Sequence, residues 1–240
     1  MTPMLTVILV TFGAGLAMLL GALLAQIEHI RPLWLERELR HSVTAFGGGA
    51  LMSAVALVLV PEGAAELSIP YAALWFIVGG ICFMWLDIVL TRMNTPASQM
   101  AAMLSDYIPE SVALGAAFSS GSSEAMLLAG LIALQNLPEG FSAFRELKQN
   151  GDYSVGKLLF LFFLMACLGP IAGVTGLLFL ADEPEVVGAI MLFAAGGILY
   201  SMFQDIAPQA RLEKHWAPPF GAVLGFVLGL VGYMISSPGY

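Results

Sequence analysis

Residues 125–140 read AMLLAGLIALQNLPEG, an almost unbroken apolar run that ends in a glutamine, an asparagine, a proline and a glutamate. A charged side chain in hydrocarbon is expensive, and a proline inside a helix removes a hydrogen bond and weakens the helix. The run therefore raises the question of what surrounds Glu139, and the composition of the chain gives the first part of the answer.

Composition places the chain among membrane proteins. Of its 240 residues, 59% are hydrophobic and only 11% are charged, and the mean hydropathy is +0.87. A soluble domain is nearer to half apolar and a quarter charged. The expected surroundings are therefore a lipid bilayer. The net charge of −8 also argues against a nucleic-acid partner.

Hydropathy predicts an all-α membrane protein that forms a single transmembrane domain over residues 1–240. Each apolar segment has about the length that a bilayer requires, and its uniform apolar character argues against a β-barrel. No basic residue precedes the first segment, so we expect a retained helix rather than a signal peptide. Eight transmembrane helices are predicted, at roughly 4–26, 42–60, 71–91, 98–118, 123–144, 156–180, 186–208 and 217–237.

The basic residues predict the orientation of these helices. All of them fall on one side of an eight-helix topology, and the opposite loops carry only acidic charges. The positive-inside rule puts the basic side in the cytoplasm and both termini on the extracytoplasmic side. The nine basic residues are Arg31, Arg37, Arg40, Arg92, Arg145, Lys148, Lys157, Arg211 and Lys214.

Two predicted helices resemble each other. Residues 46–63 read FGGGALMSAVALVLVPEG and residues 193–210 read FAAGGILYSMFQDIAPQA; in each, a proline follows the first phenylalanine by 15 positions, and the offset is 147. The same offset carries the third predicted helix onto the eighth. Because the second and seventh helices run in opposite directions, the pattern predicts an inverted repeat of helices 1–3 and 6–8 around a central pair, 4–5. Such repeats are typical of transporters.

The central pair carries two similar polar motifs, SDYIPES at 105–111 and QNLPEG at 135–140. In each motif the glutamate lies four positions after another polar side chain, so both share one helix face. Two helices that meet along these faces would bring carboxylate and amide oxygens together. The predicted metal-binding residues of this pair are Asp106, Glu110, Gln135, Asn136 and Glu139.

The prolines of these motifs free backbone oxygens nearby. Pro109 and Pro138 cannot donate to the carbonyls four residues before them. Free carbonyls at membrane depth are tolerated where they line a cavity, and a pair of proline-interrupted helices points to a transport site.

Each polar residue also has a structural interpretation. Gln135 and Asn136 could join helices by hydrogen bonds. Buried carboxylates such as Glu110 and Glu139 are functional-site candidates by default. No Lys or Arg lies in the interior of any predicted helix, so these glutamates are either protonated or matched by a bound cation.

Asp205, on the seventh predicted helix, could approach the same cavity, or could be an interfacial residue near the cytoplasm. The three histidines, His29, His41 and His215, fall outside the predicted helices. A donor set made only of oxygen atoms suits harder cations such as Mn²⁺ or Mg²⁺ better than zinc.

These motifs resemble the ZIP (Zrt/Irt-like protein) divalent metal transporters, and in particular the bacterial GufA-like branch. The fifth-helix pattern of that family, Gln-Asp/Asn-x-Pro-Glu-Gly, is met in full by residues 135–140. Its fourth-helix pattern, His-Asn-x-Pro-Glu, appears with Asp106 and Tyr107 in the first two places and with Pro109 and Glu110 in the last two.

The metal site departs from the family pattern in two further helices. The sixth-helix Glu-Pro appears as Gly169-Pro170, and the seventh-helix His-Glu appears as Gln204-Asp205. The resemblance implies a two-metal site between helices four and five, an elevator-like or rocking cycle, and a homodimer in the cell (inner) membrane.

The function that follows is a secondary transporter that carries a divalent metal, whether zinc, manganese, iron or magnesium, into the cytoplasm. The alternative is a non-transporting ZIP-like membrane protein, a metal sensor or a structural partner, whose metal site has decayed. An enzyme is a third reading, and the absence of any nucleophile–base pair or HExxH pattern argues against it.

Overall fold

The structure is a computed structural model, and it confirms that the protein is all-helical. No strand occurs in the part of the chain that it describes. The described residues are 2–27, 33–93, 96–120, 124–150, 153–180, 182–210 and 216–236.

Ten α-helical segments and two short π-helical segments follow one another along these residues. Two long helices are interrupted by the π-helical segments, and each continues on the far side as a shorter α-helix. The elements are α1 (Pro3–Ile27), α2 (Leu33–Ala54), a first π segment (Val55–Leu59), α3 (Val60–Ala65), α4 (Ile69–Met93), α5 (Pro96–Ser120), α6 (Glu124–Asn150), α7 (Val155–Phe179), α8 (Pro184–Ser201), a second π segment (Met202–Ile206), α9 (Ala207–Ala210) and α10 (Ala217–Ser236).

Six helices are long and apolar enough to cross a membrane by length and composition, when the described residues alone are considered. They are α1, α2 with its continuation α3, α4, α7, α8 with its continuation α9, and α10. α5 and α6 do not qualify, since their carboxylates and amides lower the apolar content. Multiple membrane-spanning helices are thereby established, and the full count of eight stays a prediction.

Several helices extend beyond their predicted ends. α2 begins at Leu33, so Arg37 and Arg40 lie on a helix rather than in a loop. Likewise α6 continues to Asn150 and carries Arg145. His41, predicted outside the helices, lies within α2, and Arg92, Lys148 and Lys157 lie on α4, α6 and α7. The predictions for five further residues fall outside the described residues: His29, Arg31, Arg211, Lys214 and His215.

The core forms around four helices. α1 packs along both α6 and α7, and α5 packs along α7. Small residues permit this close approach: Gly21 of α1 lies against the carbonyl of Leu137, and Gly140 of α6 lies against the carbonyl of Met18. Neither glycine has room for a Cβ atom, so the crossing of α1 and α6 depends on both.

The crossing of α5 and α7 repeats this arrangement. Gly176 of α7 lies against the carbonyl of Val112, and Gly115 of α5 lies against the carbonyl of Gly173. The α7 residues stand 155 positions after their counterparts on α1, and the α5 residues stand 25 positions before theirs on α6. The two crossings therefore use equivalent residues.

A second pair of crossings lies toward the periphery, where α2 packs on α10 and α4 packs on α8. Gly49 meets the carbonyl of Ala222, and Gly225 meets the carbonyl of Phe46. On the other side, Gly196 meets the carbonyl of Phe76, and Gly79 meets the carbonyl of Phe193. The α8 residues follow those of α2 by 147 positions, and the α4 residues precede those of α10 by 146.

The π segments obey the same offset. Val55–Leu59 and Met202–Ile206 are each five residues long, and they start 147 positions apart. A π segment in a helix is rare and often accompanies function. Its occurrence at matched positions of α2 and α8 extends the sequence similarity of these two helices to their backbone geometry.

Candidate functional site

α5 and α6 pass one another in opposite directions, and their polar faces meet. Gln135 donates from Nε2 to both carboxylate oxygens of Glu110, at 2.8 Å each. Both side chains are buried, Glu110 at 0% exposure and Gln135 at 1%. Glu110 and Gln135, which were predicted from separate motifs, therefore contact each other directly. We name this contact the sealed layer.

One helical turn away, toward the N-terminus of α5 and the C-terminus of α6, lie Asp106 and Glu139. Both are partly buried, and their carboxylates interact repulsively. Both line a cavity of about 330 Å³. We name this pair the open layer. This pairing follows from the antiparallel packing of α5 and α6. Asp106 lies four residues before Glu110, and Glu139 lies four residues after Gln135, so the two move in the same direction along the helix pair.

Two oxygen atoms of these layers are buried without a hydrogen-bond partner among the described residues. They are Oδ1 of Asp106 and Oε1 of Gln135. Buried polar atoms in native proteins are almost always satisfied, so each exception requires an explanation. The amide of Gln135 is oriented by Glu110, which takes its nitrogen and leaves the oxygen as an unused acceptor.

Asn136 has a different neighbour. Its Nδ2 donates to the carbonyl oxygen of Ala14 on α1, at 2.9 Å, and the side chain is 1% exposed. This bond joins α6 to α1, so Asn136 already holds two helices together and only its side-chain oxygen is left for another role.

Asp205, for which the sequence left a cavity position and an interfacial position open, lines the cavity from the second π segment. Its side chain is exposed, and it repels the carboxylate of Asp106. The cavity thus gathers three of the six predicted ligands directly, and two more form the sealed layer one turn deeper.

Two further acidic residues of the cavity were missed from the sequence. Asp87 of α4 and Glu146 of α6 are not among the predicted ligands, yet both line the cavity. Asp87 accepts from the hydroxyls of Tyr200, at 3.1 Å, and Thr91, at 3.4 Å. Its position near the end of α4, next to the basic Arg92, gave no signal of a cavity.

The cavity continues toward the end of the bundle that carries basic residues. A smaller cavity of about 250 Å³ shares Thr44, Ser142 and Glu146 with it and is lined also by Arg40 and Arg145. On the far side of the sealed layer the helices pack through Leu114, Leu128 and Leu131, all essentially unexposed. The open layer is therefore approached from the basic end.

The donor chemistry of the site is that of carboxylate and amide oxygens. No three His, Cys, Asp or Glu side chains converge on one metal position within the described part of the chain. A bound cation would thus need amide as well as carboxylate oxygens, and the unused Oε1 of Gln135 belongs to the amide that bonds to Glu110. Harder divalent cations accept such mixed oxygen ligands.

Fold and site together define a multi-pass, all-helical membrane protein with an oxygen-lined polar site inside its helices. Comparison with protein families identifies which one: residues 97–236 match the sequence profile described as "ZIP: ZIP Zinc transporter". The match covers more than half of the 240 residues, and the chain belongs to the ZIP zinc transporter family. The members of this family are metal transporters, so the match supports metal transport as the general function of the chain. A comparison with individual curated proteins gave no match.

Proposed function

We propose that this protein carries a divalent metal cation across the membrane into the cytoplasm through the site between α5 and α6. The observation that carries the proposal is the sealed layer. Gln135 donates from Nε2 to both oxygens of Glu110, and Oε1 of the same amide is buried and has no hydrogen-bond partner among the described residues. A cation at this point would satisfy an oxygen atom that otherwise costs free energy.

Glu110 and Glu139 are the core ligands of this proposal, and Gln135 and Asp106 complete the shell. Asp205 receives the cation nearer the mouth, and Asn136 contributes at most through its side-chain oxygen, since its nitrogen is bonded to Ala14. The set contains neither imidazole nor thiolate. Manganese, magnesium and iron are therefore cargo candidates beside the zinc of the family's description, with manganese favoured by oxygen ligands.

The direction of transport rests on the charge distribution. The open layer communicates with the end of the bundle where Arg40 and Arg145 lie, and the positive-inside rule assigns that end to the cytoplasm. In this orientation both termini face the extracytoplasmic side. The conformation is then open to the cytoplasm and closed by the apolar packing beyond Glu110.

Alternation of access follows from an inverted repeat, which forms part of the proposal. The paired glycine crossings and the paired π segments, at offsets of 155, 147 and 146, support a relation between the half that contains α1–α4 and the half that contains α7–α10. Carriers built this way expose a fixed midplane site to either side in turn. A homodimer in the cell membrane, as the resemblance implies, completes the proposal.

The test is metal uptake into proteoliposomes with Mn²⁺, Zn²⁺, Fe²⁺ and Mg²⁺, using wild type and Glu139→Gln. Glu139→Gln removes one charge at constant shape and should reduce uptake to the level of empty vesicles. Glu185→Gln, which changes an exposed carboxylate in a separate cavity, is the matched control and should retain uptake. Equal uptake by wild type and Glu139→Gln would contradict the site.

Thermal shifts with each metal separate transport from mere binding. A wild-type protein that is stabilised by a metal, and yet moves none across the vesicle membrane, would favour the non-transporting sensor. Stabilisation and uptake by the same metal, both lost in Glu139→Gln, would support the carrier.

A further inference from the structure

Tyr107 is the largest fully buried side chain among the described residues, and it lies on α5 between Asp106 and Glu110 in the sequence. Its exposure is 0%. Its hydroxyl donates to the carbonyl oxygen of Thr11 on α1, at 2.7 Å, and a second carbonyl, that of Ala166 on α7, stands 3.4 Å away. One hydroxyl proton therefore faces two acceptors on two different helices.

The two acceptors are not equal in their own helices. Thr11 lies within the continuous helix α1, where its carbonyl can also accept from the backbone N–H four residues on. Four residues after Ala166 the helix α7 contains Pro170. A proline has no N–H, so the Ala166 carbonyl lacks this backbone donor. The hydroxyl of Tyr107 thus makes its short hydrogen bond to the Thr11 carbonyl, which already has a backbone donor. The Ala166 carbonyl, which lacks a backbone donor, lies farther away at 3.4 Å.

The acceptors are also equivalent by position. The offset of 155 that relates the glycine crossings of α1 to those of α7 carries Thr11 onto Ala166. Gly15 and Gly169 both lie against the Tyr107 phenol, with no space for a Cβ atom. The ring therefore occupies a slot between the first helix of one half and the first helix of the other.

We infer that Tyr107 is a positioning residue of the transport cycle, whose hydroxyl bonds to Thr11 in the present conformation and exchanges to Ala166 when the site opens to the other side. This inference rests on the proposed function, because it requires two conformations with opposite access. In the exchange the hydroxyl moves by a fraction of its present separation from Ala166 and never leaves hydrogen-bond range of a carbonyl. The opposite conformation then gains a donor for the carbonyl that Pro170 leaves free.

Removing the hydroxyl should disfavour the opposite conformation more than the present one. In Tyr107→Phe the Thr11 carbonyl can keep its backbone donor, but the Ala166 carbonyl loses the only donor proposed for it. Pro170→Ala should act in the same direction, because it supplies a backbone N–H to Ala166 in both conformations and so removes the advantage of the exchange. In a Tyr107→Phe background, Pro170→Ala should change nothing further.

Cysteine labelling in detergent reports the two conformations without any metal. Cys82 and Cys167 are first replaced by alanine. Ser142→Cys places a reporter in the open cavity, and Ala117→Cys places one at the position 25 residues earlier on α5, which is the equivalent position and is buried here. The measured quantity is the ratio of the labelling rate at position 117 to that at position 142.

We expect each single variant to lower this ratio by about twofold to tenfold, the factor that one hydrogen bond is worth. The double variant should match Tyr107→Phe alone. An unchanged ratio in Tyr107→Phe would overturn the exchange, and so would a Pro170→Ala effect that persists undiminished in the Tyr107→Phe background, because the proline would then act by bending α7.

The inference and the proposed function can fail separately. Tyr107→Phe should still be stabilised against heat by Mn²⁺, because the metal site is unchanged. The uptake of Mn²⁺ by this variant should fall in proportion to the labelling ratio. If the variants shift the labelling ratio but the wild-type protein transports no metal, the exchange of the Tyr107 hydrogen bond would be supported and the proposed metal transport would be contradicted. Uptake by wild type with no change of ratio in any variant would support the cargo and contradict the exchange.

Discussion

The two polar layers between α5 and α6 contain the same kinds of atom in different surroundings. Asp106 and Glu139 line an open cavity with other carboxylates around them, whereas Glu110 is unexposed and receives two hydrogen bonds from Gln135. A carboxylate near water is solvated at little cost, and a buried one requires a partner. The open layer is thus suited to attracting a cation and the sealed layer to holding it.

The largest effect is expected from the sealed layer. Glu110→Gln keeps the shape and the contact with Gln135 but removes the charge, so metal affinity should fall at least about a hundredfold, beyond the effect usual for an outer-shell partner. The metal-free variant should unfold at the same temperature as wild type or higher, because a buried charge has been removed. Calorimetry with and without Mn²⁺ measures both, and Glu185→Gln is the control.

A smaller effect is expected from the open layer. Asp106→Asn leaves the buried ligands in place and removes one of several charges that attract the cation, so the KM for uptake should rise by about tenfold, as for one lost interaction of 1.4 kcal/mol, with little change in maximal rate. Concentration-dependent uptake measures this. If Asp106→Asn weakened metal binding as much as Glu110→Gln does, the open layer and the sealed layer would not have the separate roles described above.

The smallest effect on transport is expected from Asn136→Ala. This change removes the hydrogen bond from α6 to the Ala14 carbonyl and should lower the free energy of unfolding by about 1 kcal/mol. Metal affinity should change by less than about threefold, since the loss of binding free energy should be smaller than the contribution of one hydrogen bond. Denaturant unfolding and metal titration of the same sample check this, and a large loss of affinity with unchanged stability would instead make Asn136 a principal ligand.

Much of this arrangement was predictable from the sequence. Hydropathy and segment length predicted the helices, and the four-residue spacing of the polar side chains put Asp106 with Glu110 and Gln135 with Glu139 on shared faces. The structure shows which partner each one meets on the opposite helix: Glu110 meets Gln135, and Asp106 lies by Glu139. That register depends on where small residues such as Gly21 and Gly115 let the helices cross, which is a property of packing in three dimensions.

The similarity of the two Pro-Glu motifs was partly misleading. Pro109 and Pro138 are 29 positions apart, but the equivalent crossings of α5 and α6 are related by 25. The motifs are therefore displaced by one helical turn relative to the packing. Asp87 was missed for a related reason, because its place in the cavity depends on how α4 lies against α8 and not on any pattern within α4.

The π segments have one more consequence, which concerns the phase of a helix. A π turn holds one residue more than an α turn, and one residue corresponds to about 100° of rotation. The helix that begins as α2 packs on α10, and past its π segment it continues as α3 and packs on α8, where Gly63 lies against the carbonyl of Gly188. One extra residue thus turns the contact face of a continuous rod from one neighbour to another, without a loop or a break in the helix.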